Sequence, residues 1–99
     1  MILVKIHETF QGGLKKTVLA ASDSDLIGKT IKENNIELCV SEKFYKGKEV
    51  NEEKFLVFLE NCDSANLVGK ETIALALKHK IIKPEEVIKI NGTPHAQIF

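Results

Sequence analysis

Apolar and polar residues alternate at both ends of this chain, and in its middle the apolar ones recur at helical spacing. Ile2, Val4 and Ile6 alternate with Leu3, Lys5 and His7, the pattern of a half-buried strand. Gln11-Gly12-Gly13 reads as a turn and Thr17-Val18-Leu19-Ala20-Ala21 as a second strand, so the N-terminus predicts a hairpin. Ser22-Asp23-Ser24-Asp25 offers N-cap chemistry for a short helix over 26–30. Ile36, Leu38 and Val40 alternate with Glu37, Cys39 and Ser41 and mark a third strand.

Lys43-Phe44-Tyr45-Lys46-Gly47-Lys48 then reads as a loop with two adjacent aromatics. Asn51 caps a helix that carries Glu52 and Glu53 in its first turn, where the macrodipole favours acids. Phe55, Leu56, Leu59 and Cys62 form its apolar stripe, and Asp63 and Ser64 end it. A further helix spans 70–80. Its centre, Ile73-Ala74-Leu75-Ala76-Leu77, is apolar almost all round, which predicts the most buried helix. Pro84-Glu85-Glu86 is a single helical turn with proline at its first position. Val87-Ile88-Lys89-Ile90 is a strand and Asn91-Gly92 a turn. The last strand runs from Pro94 or His95 to Phe99.

The order β-β-α-β-α-α-β-β predicts an α+β fold. It is a single compact domain over residues 1–99, with a mixed or mostly antiparallel sheet built from N- and C-terminal strands and about three helices packed on one face. Ninety-nine residues can bury one core without staples. No apolar run approaches the roughly 20 residues that span a bilayer. The first six residues read as a strand and not as a signal peptide, so the expected compartment is the cytoplasm and no membrane is expected as a partner.

Charge narrows the function classes. The 14 basic residues are all lysine and are matched by 14 acids. Without arginine the chain lacks the side chain best suited to bidentate phosphate or guanine recognition, and zero net charge implies no long-range positive field. Cys39 and Cys62 form no paired C-x-x-C and read as two buried free thiols. Gly28-Lys29-Thr30 is no phosphate loop, because Asp23 stands where that motif needs its first glycine. Leu26-Ile27-Gly28-Lys29 echoes Leu67-Val68-Gly69-Lys70. The echo could mark two Gly-Lys turns at helix starts that hold anions, or two unrelated junctions in a lysine-rich chain; the second reading is simpler. No pattern calls for a metal or another cofactor.

Candidate site residues fall in three places. Gly92 and Pro94 make a stiff turn, followed by His95 and Gln97 on one face of an extended strand. If the terminal strands pair at the sheet centre, His7 meets His95, and Cys39 could complete a nucleophile–base cluster. Phe44 and Tyr45, flanked by Lys43, Lys46 and Lys48, resemble a stacking platform for bases. The simpler reading is that a ring closes the core edge.

Several segments in order carry a family resemblance. They are Val4-Lys5-Ile6-His7, Val18-Leu19-Ala20 followed by Asp23, Leu26-Ile27-Gly28-Lys29, Phe44-Tyr45-Lys46-Gly47, Ala65-Asn66-Leu67-Val68-Gly69 and, most specific, Gly92-Thr93-Pro94-His95-Ala96-Gln97. In these the chain resembles the archaeal family known as domain of unknown function 424. Thr93 departs mildly, since an apolar residue often stands there in the family. The resemblance implies an archaeal, cytoplasmic, single-domain protein without established activity, and it carries no catalytic residues across. The expectation is a non-enzymatic binding module in an information-processing context, with RNA or a protein as partner. The alternatives are a small enzyme using His95 with His7 or Cys39, and a homo-oligomeric assembly subunit joined through a strand edge.

Overall fold

Strand alternation runs further than its apolar residues alone indicate. The computed structural model describes residues 1–99. Its first two strands, β1 (Ile2–Gln11) and β2 (Leu14–Asp23), form one antiparallel hairpin ten residues long on each side, joined by Gly12-Gly13. A 3₁₀ turn at Ser24–Leu26 follows, then a small hairpin of β3 (Thr30–Glu33) and β4 (Ile36–Cys39). The one-turn helix α1 (Glu42–Tyr45) leads to β5 (Lys48–Val50), α2 (Glu52–Asn61) and β6 (Ser64–Val68). Next come α3 (Lys70–Lys78), a 3₁₀ turn at Pro84–Glu86, β7 (Ile88–Ile90) and β8 (Thr93–Ile98). The main sheet has the order β5-β1-β2-β6-β8-β7 and is antiparallel except where β2 pairs with β6. The fold is α+β, as the element pattern predicts. No helix is long and apolar enough to cross a membrane.

The alternation sorts the sheet into two faces. Ile2, Val4, Leu19, Ala21, Ala65, Leu67 and Ala96 pack against Phe55 and Leu59 of α2 and Ile73 and Ala76 of α3. On the opposite face, Ala20 and Val68 pack against Val40 and Tyr45, with Leu26, Ile31 and Leu38 around them. Both faces are therefore covered, not one. Two helices lie on the first, and the β3–β4 hairpin with α1 lies on the second. The central strand β6 is only five residues long, and its Ala and Asn are weak strand formers, so its alternation carries little strand signal; Ser64 and Asn66 are only half-buried on the second face.

Other local expectations also change. Helix 26–30 does not form. Gly28 sits at φ +84°, and the chain enters β3 at Thr30. Residues 43–48 are not a loop throughout, because the Ser41 hydroxyl accepts from Phe44 N at 3.2 Å and starts α1. Cys39 is exposed and Cys62 half-buried, both as free thiols; β4 places Cys39 on the outer side of its hairpin. The centre of α3 is apolar all round yet buried only on one side, with Ala74 in solvent. Asn51 caps α2 as expected, its Oδ1 accepting from Lys54 N at 2.9 Å. Asn91 (φ 47°) and Gly92 (φ 81°) make the two-residue turn between β7 and β8, whose twist suits a hairpin. His79, at the end of α3, shares the Glu52 carboxylate with Lys78, at 2.6 and 3.1 Å, and ties α3 to the start of α2. These two hydrogen bonds, His79's first, hold the Glu52 carboxyl below its usual range.

One residue explains why helix 26–30 is absent. The Asp23 side chain makes no capping bond to the 3₁₀ turn that follows it. Instead it reaches the amino end of α3, where Oδ2 accepts from Glu71 N at 3.0 Å and Oδ1 accepts from Thr72 N and Thr72 Oγ1, both at 2.8 Å. Gly69, at φ +111°, makes the approach possible, since a Cβ there would stand 2.3 Å from the Asp23 carboxyl carbon. Asp23→Ala should lower the unfolding free energy by about 2–4 kcal/mol, because it loses a helix cap and leaves the buried Thr72 hydroxyl unsatisfied. Gly69→Ala should cost a comparable amount. The double variant should lose less than the sum, since the clash needs the carboxylate. Urea unfolding of the three proteins measures this, and strictly additive losses would show that the two residues do not share the contact.

Candidate functional site

The strand registers place the candidate residues on a grid. On the face away from α2 and α3, Leu3, Ser22, Val68 and His95 lie abreast across four strands. The next row is Lys5, Ala20, Asn66 and Gln97, and the third holds His7, Val18 and Ser64. His95 and Gln97 thus share a face. Gln97 Nε2 donates to Asn66 Oδ1 at 2.9 Å, which ties the neighbouring strands through their side chains. Neither His95 nor Gln97 lines a cavity. A shallow cavity on the same face is lined instead by Gln11, Lys16, Val18, Asp63, Ser64 and Phe99.

The proposed meeting of His7 with His95 does not occur. The terminal strands are not neighbours, because β2 and β6 lie between β1 and β8. Three strand spacings separate the two residues by about 14 Å, before their offset along the strands is counted. Cys39 belongs to the covering hairpin, where it pairs with Thr30. The reason is topological. The parallel crossover from β2 to β6 inserts a strand that the sequence pattern does not show.

Each candidate has a definite environment. His95 is half-buried, and burial pushes its imidazole below the usual histidine range with no neighbouring charge to offset it. His7 is built into the support of α1. Its ring stacks on Phe44 with centroids 4.4 Å apart and planes within 10°, and its Nε2–H donates to Phe44 O at 2.8 Å. Lys5 Nζ donates to Lys43 O at 2.7 Å beside it, so two β1 side chains satisfy the last carbonyls of this short helix. Tyr45 is 5% exposed, and burial pushes its phenol up. It meets Phe44 edge to face at 5.0 Å. The aromatic pair therefore closes the second core, and His7 covers one face of the Phe44 ring. Lys43, Lys46 and Lys48 are exposed, but Lys48 pairs with Val4 and lines a cavity with Phe58 on the helix-covered side, away from the aromatic pair. Pro94 is buried in β8, where its carbonyl accepts from Gly69 N at 2.9 Å; Gly92 stands exposed in the turn before it.

Sequence reasoning missed the tip of the first hairpin. Beyond Val4, β1 has no partner on its outer edge, since β5 pairs only with Ile2, Leu3 and Val4. β6 pairs with β2 only over Val18 to Ser22. The remaining ribbon projects with Ile6 44%, Phe10 74% and Leu14 63% exposed. The signal was weak: Ile6 and Phe10 keep the strand's apolar register up to the Gly-Gly turn, but Glu8 interrupts it.

A family model described as "Protein of unknown function (DUF424)" matches residues 10–99, and the chain belongs to that family. No curated protein matches its sequence. Among solved structures, it is similar to one described as an uncharacterized conserved protein from Methanopyrus kandleri. The two share 25% identity and a TM-score of 0.77, over 98% of this chain and 89% of that one.

The His95 environment sets a pH dependence. Its folded-state pKa is depressed, so from about pH 6.5 downward the unfolded chain binds a proton that the folded chain refuses. Stability from this residue is complete above that pH and declines as pH falls toward the folded value. Thermal melts at pH 7.5 and 5 (about one unit or more either side of the ordinary value) should show a larger loss for wild type than for His95→Gln. Equal losses would place the imidazole in solvent.

Proposed function

We propose that this member of the DUF424 family is a non-enzymatic binding module in an information-processing context, and that its partner is a protein held by the β1–β2 ribbon. One observation carries the reading: an unpaired β1 edge that projects from the sheet, with Ile6 and Phe10 exposed on one face of the ribbon and Leu14 of β2 on the other. An edge of this kind offers backbone donors and acceptors for a further strand. Burying each large apolar side chain adds about 1.5–3 kcal/mol. The edge is little guarded. It contains no proline, and Glu8 is already paired across the ribbon with Lys15 at 2.9 Å.

The RNA version has less support. Stacking needs free ring faces, and Tyr45 is buried while Phe44 is stacked on His7. The enzymatic alternative has less support, because β2 and β6 stand between His7 and His95, and neither His95 nor Cys39 lines a cavity. Self-association through the same edge is the remaining alternative.

The test is affinity purification from the native cells with three forms of the full chain: wild type, Phe10→Ser/Leu14→Ser, and Lys43→Gln/Lys46→Gln/Lys48→Gln. The ribbon changes are at exposed positions and should alter stability by no more than about 0.5 kcal/mol. A protein that accompanies wild type in fixed stoichiometry should be lost with the ribbon variant and kept with the lysine variant. RNA that is lost with the lysine variant alone would overturn the protein reading. Concentration-dependent dimers in sedimentation, abolished by the ribbon variant, would assign the edge to a second copy instead.

A further inference from the structure

On the helix-covered side, well away from the ribbon, a cleft of about 420 Å³ opens between α3 and the β7–β8 hairpin. Small-molecule sites are mostly apolar concavities of about 300–1,000 Å³ with a few placed polar groups. Ile73, Ala74 and Leu77 of α3 line one side and Val87 and Pro94 the other. Ile73 is 3% exposed and Pro94 is buried, so the floor is core and not a chance gap between surface side chains.

The charges on this cleft have one sign. Lys70 and Lys89 line it, and no acid does. Both lysines are exposed, and neither belongs to any of the protein's ion pairs. Glu71 is engaged with the Met1 amino group and Glu86 with the backbone N–H of Lys83 at 2.7 Å, while Asp23 and Asp25 border Lys70 from a separate small cavity beyond the helix end and not from the cleft. Nor does helix stability explain Lys70. A cation in the first turn opposes the macrodipole, and Asp23 already supplies the anion that this helix end requires.

We propose that the cleft binds a small amphipathic anion, with its apolar body against Ile73, Ala74, Leu77 and Val87 and a carboxylate held by Lys70 and Lys89. The apolar contacts supply affinity. The two ammonium groups supply charge-assisted hydrogen bonds that select an acid over a neutral or cationic head. The occupant is a free small molecule. The cleft has the size of a ligand site, and it carries two lysines and no acid.

Decanoate, decanol and decyltrimethylammonium, each below its micelle concentration, test this by titration of the full ¹⁵N-labelled chain. Decanoate should shift the amides of Ala74, Leu77, Val87, Lys89 and Gly92. It should bind at least about tenfold more tightly than the other two, a difference of about 1.4 kcal/mol. Lys70→Gln/Lys89→Gln should remove that preference while decanol affinity stays unchanged, and the melting temperature of this variant reports that it is folded. Ala74→Trp should fill the cleft and abolish binding of both. The proposal is overturned if decanoate shifts no cleft amide, if the shifts fall on Phe10, Leu14 and Phe99 instead, or if decanol binds as well as decanoate. A ribbon variant that loses its protein partner while binding decanoate normally keeps the two sites separate.

Discussion

The carboxylate of Asp23 at the amino end of α3 is the contact on which the arrangement of the molecule depends. Asp23 is the last residue of β2, and α3 begins one residue after β6, so the contact closes the parallel β2–β6 pair at one end. A helix begins with unpaired N–H groups, and a buried end needs an acceptor. Here a neighbouring strand supplies that acceptor. The hydroxyl of Thr72, which is fully buried, is satisfied by the same carboxylate. The consequence runs in both directions along the chain. The helix is anchored over the sheet, and the segment after Asp23, deprived of its cap, makes only a 3₁₀ turn before crossing to the other face.

That crossing decides which surfaces are free. The β3–β4 hairpin and α1 cover the upper rows of the second face and bury Ala20 and Val68. Glu33 also reaches the β7–β8 turn, accepting from Asn91 N at 2.7 Å. Coverage stops short of Val18, Ser64 and Gln97 and leaves the long ribbon bare. His7 and Lys5 hold α1 down at the boundary, so residues with familiar catalytic or anion-binding chemistry serve here to finish a four-residue helix. The surfaces left open are the strand edge of the ribbon and the lysine-flanked cleft beside α3. They lie on different elements and suit different ligands.

The site was less legible than the fold. Phe44 and Tyr45 stand out as an aromatic pair among lysines, yet their exposure depends on α1, whose single turn is set by Ser41 and by two side chains of a distant strand. His95 and Gln97 do share a face, because alternation is a local property. Whether that face is concave, and what stands across from it, depends on strand order. The ribbon was hidden for the opposite reason. Glu8 interrupts its alternation, and exposed Phe10 and Leu14 look like core residues until the extent of strand pairing is known.

Local physics was sufficient for the elements whose signals lie within a few residues. The Asn51 cap and stripe of α2, the body of α3, the Pro84 turn, the Asn91-Gly92 turn and the N-terminal hairpin all follow from nearest-neighbour chemistry: caps, positive-φ residues and period. The sequence by itself also determined the α+β class, since strands at both ends and helices between them leave few ways to bury the apolar faces. Tertiary structure alone decided β3, β5, β6 and α1. β6 is five residues built partly from weak strand formers, and the others are three- or four-residue pieces stabilised by partners far along the chain. It also decided the use of Asp23, which reads as a local cap and acts as a distant one. A carboxylate goes to the strongest uncompensated donors within reach, and that reach is set by the parallel pairing of β2 with β6, which no local pattern encodes.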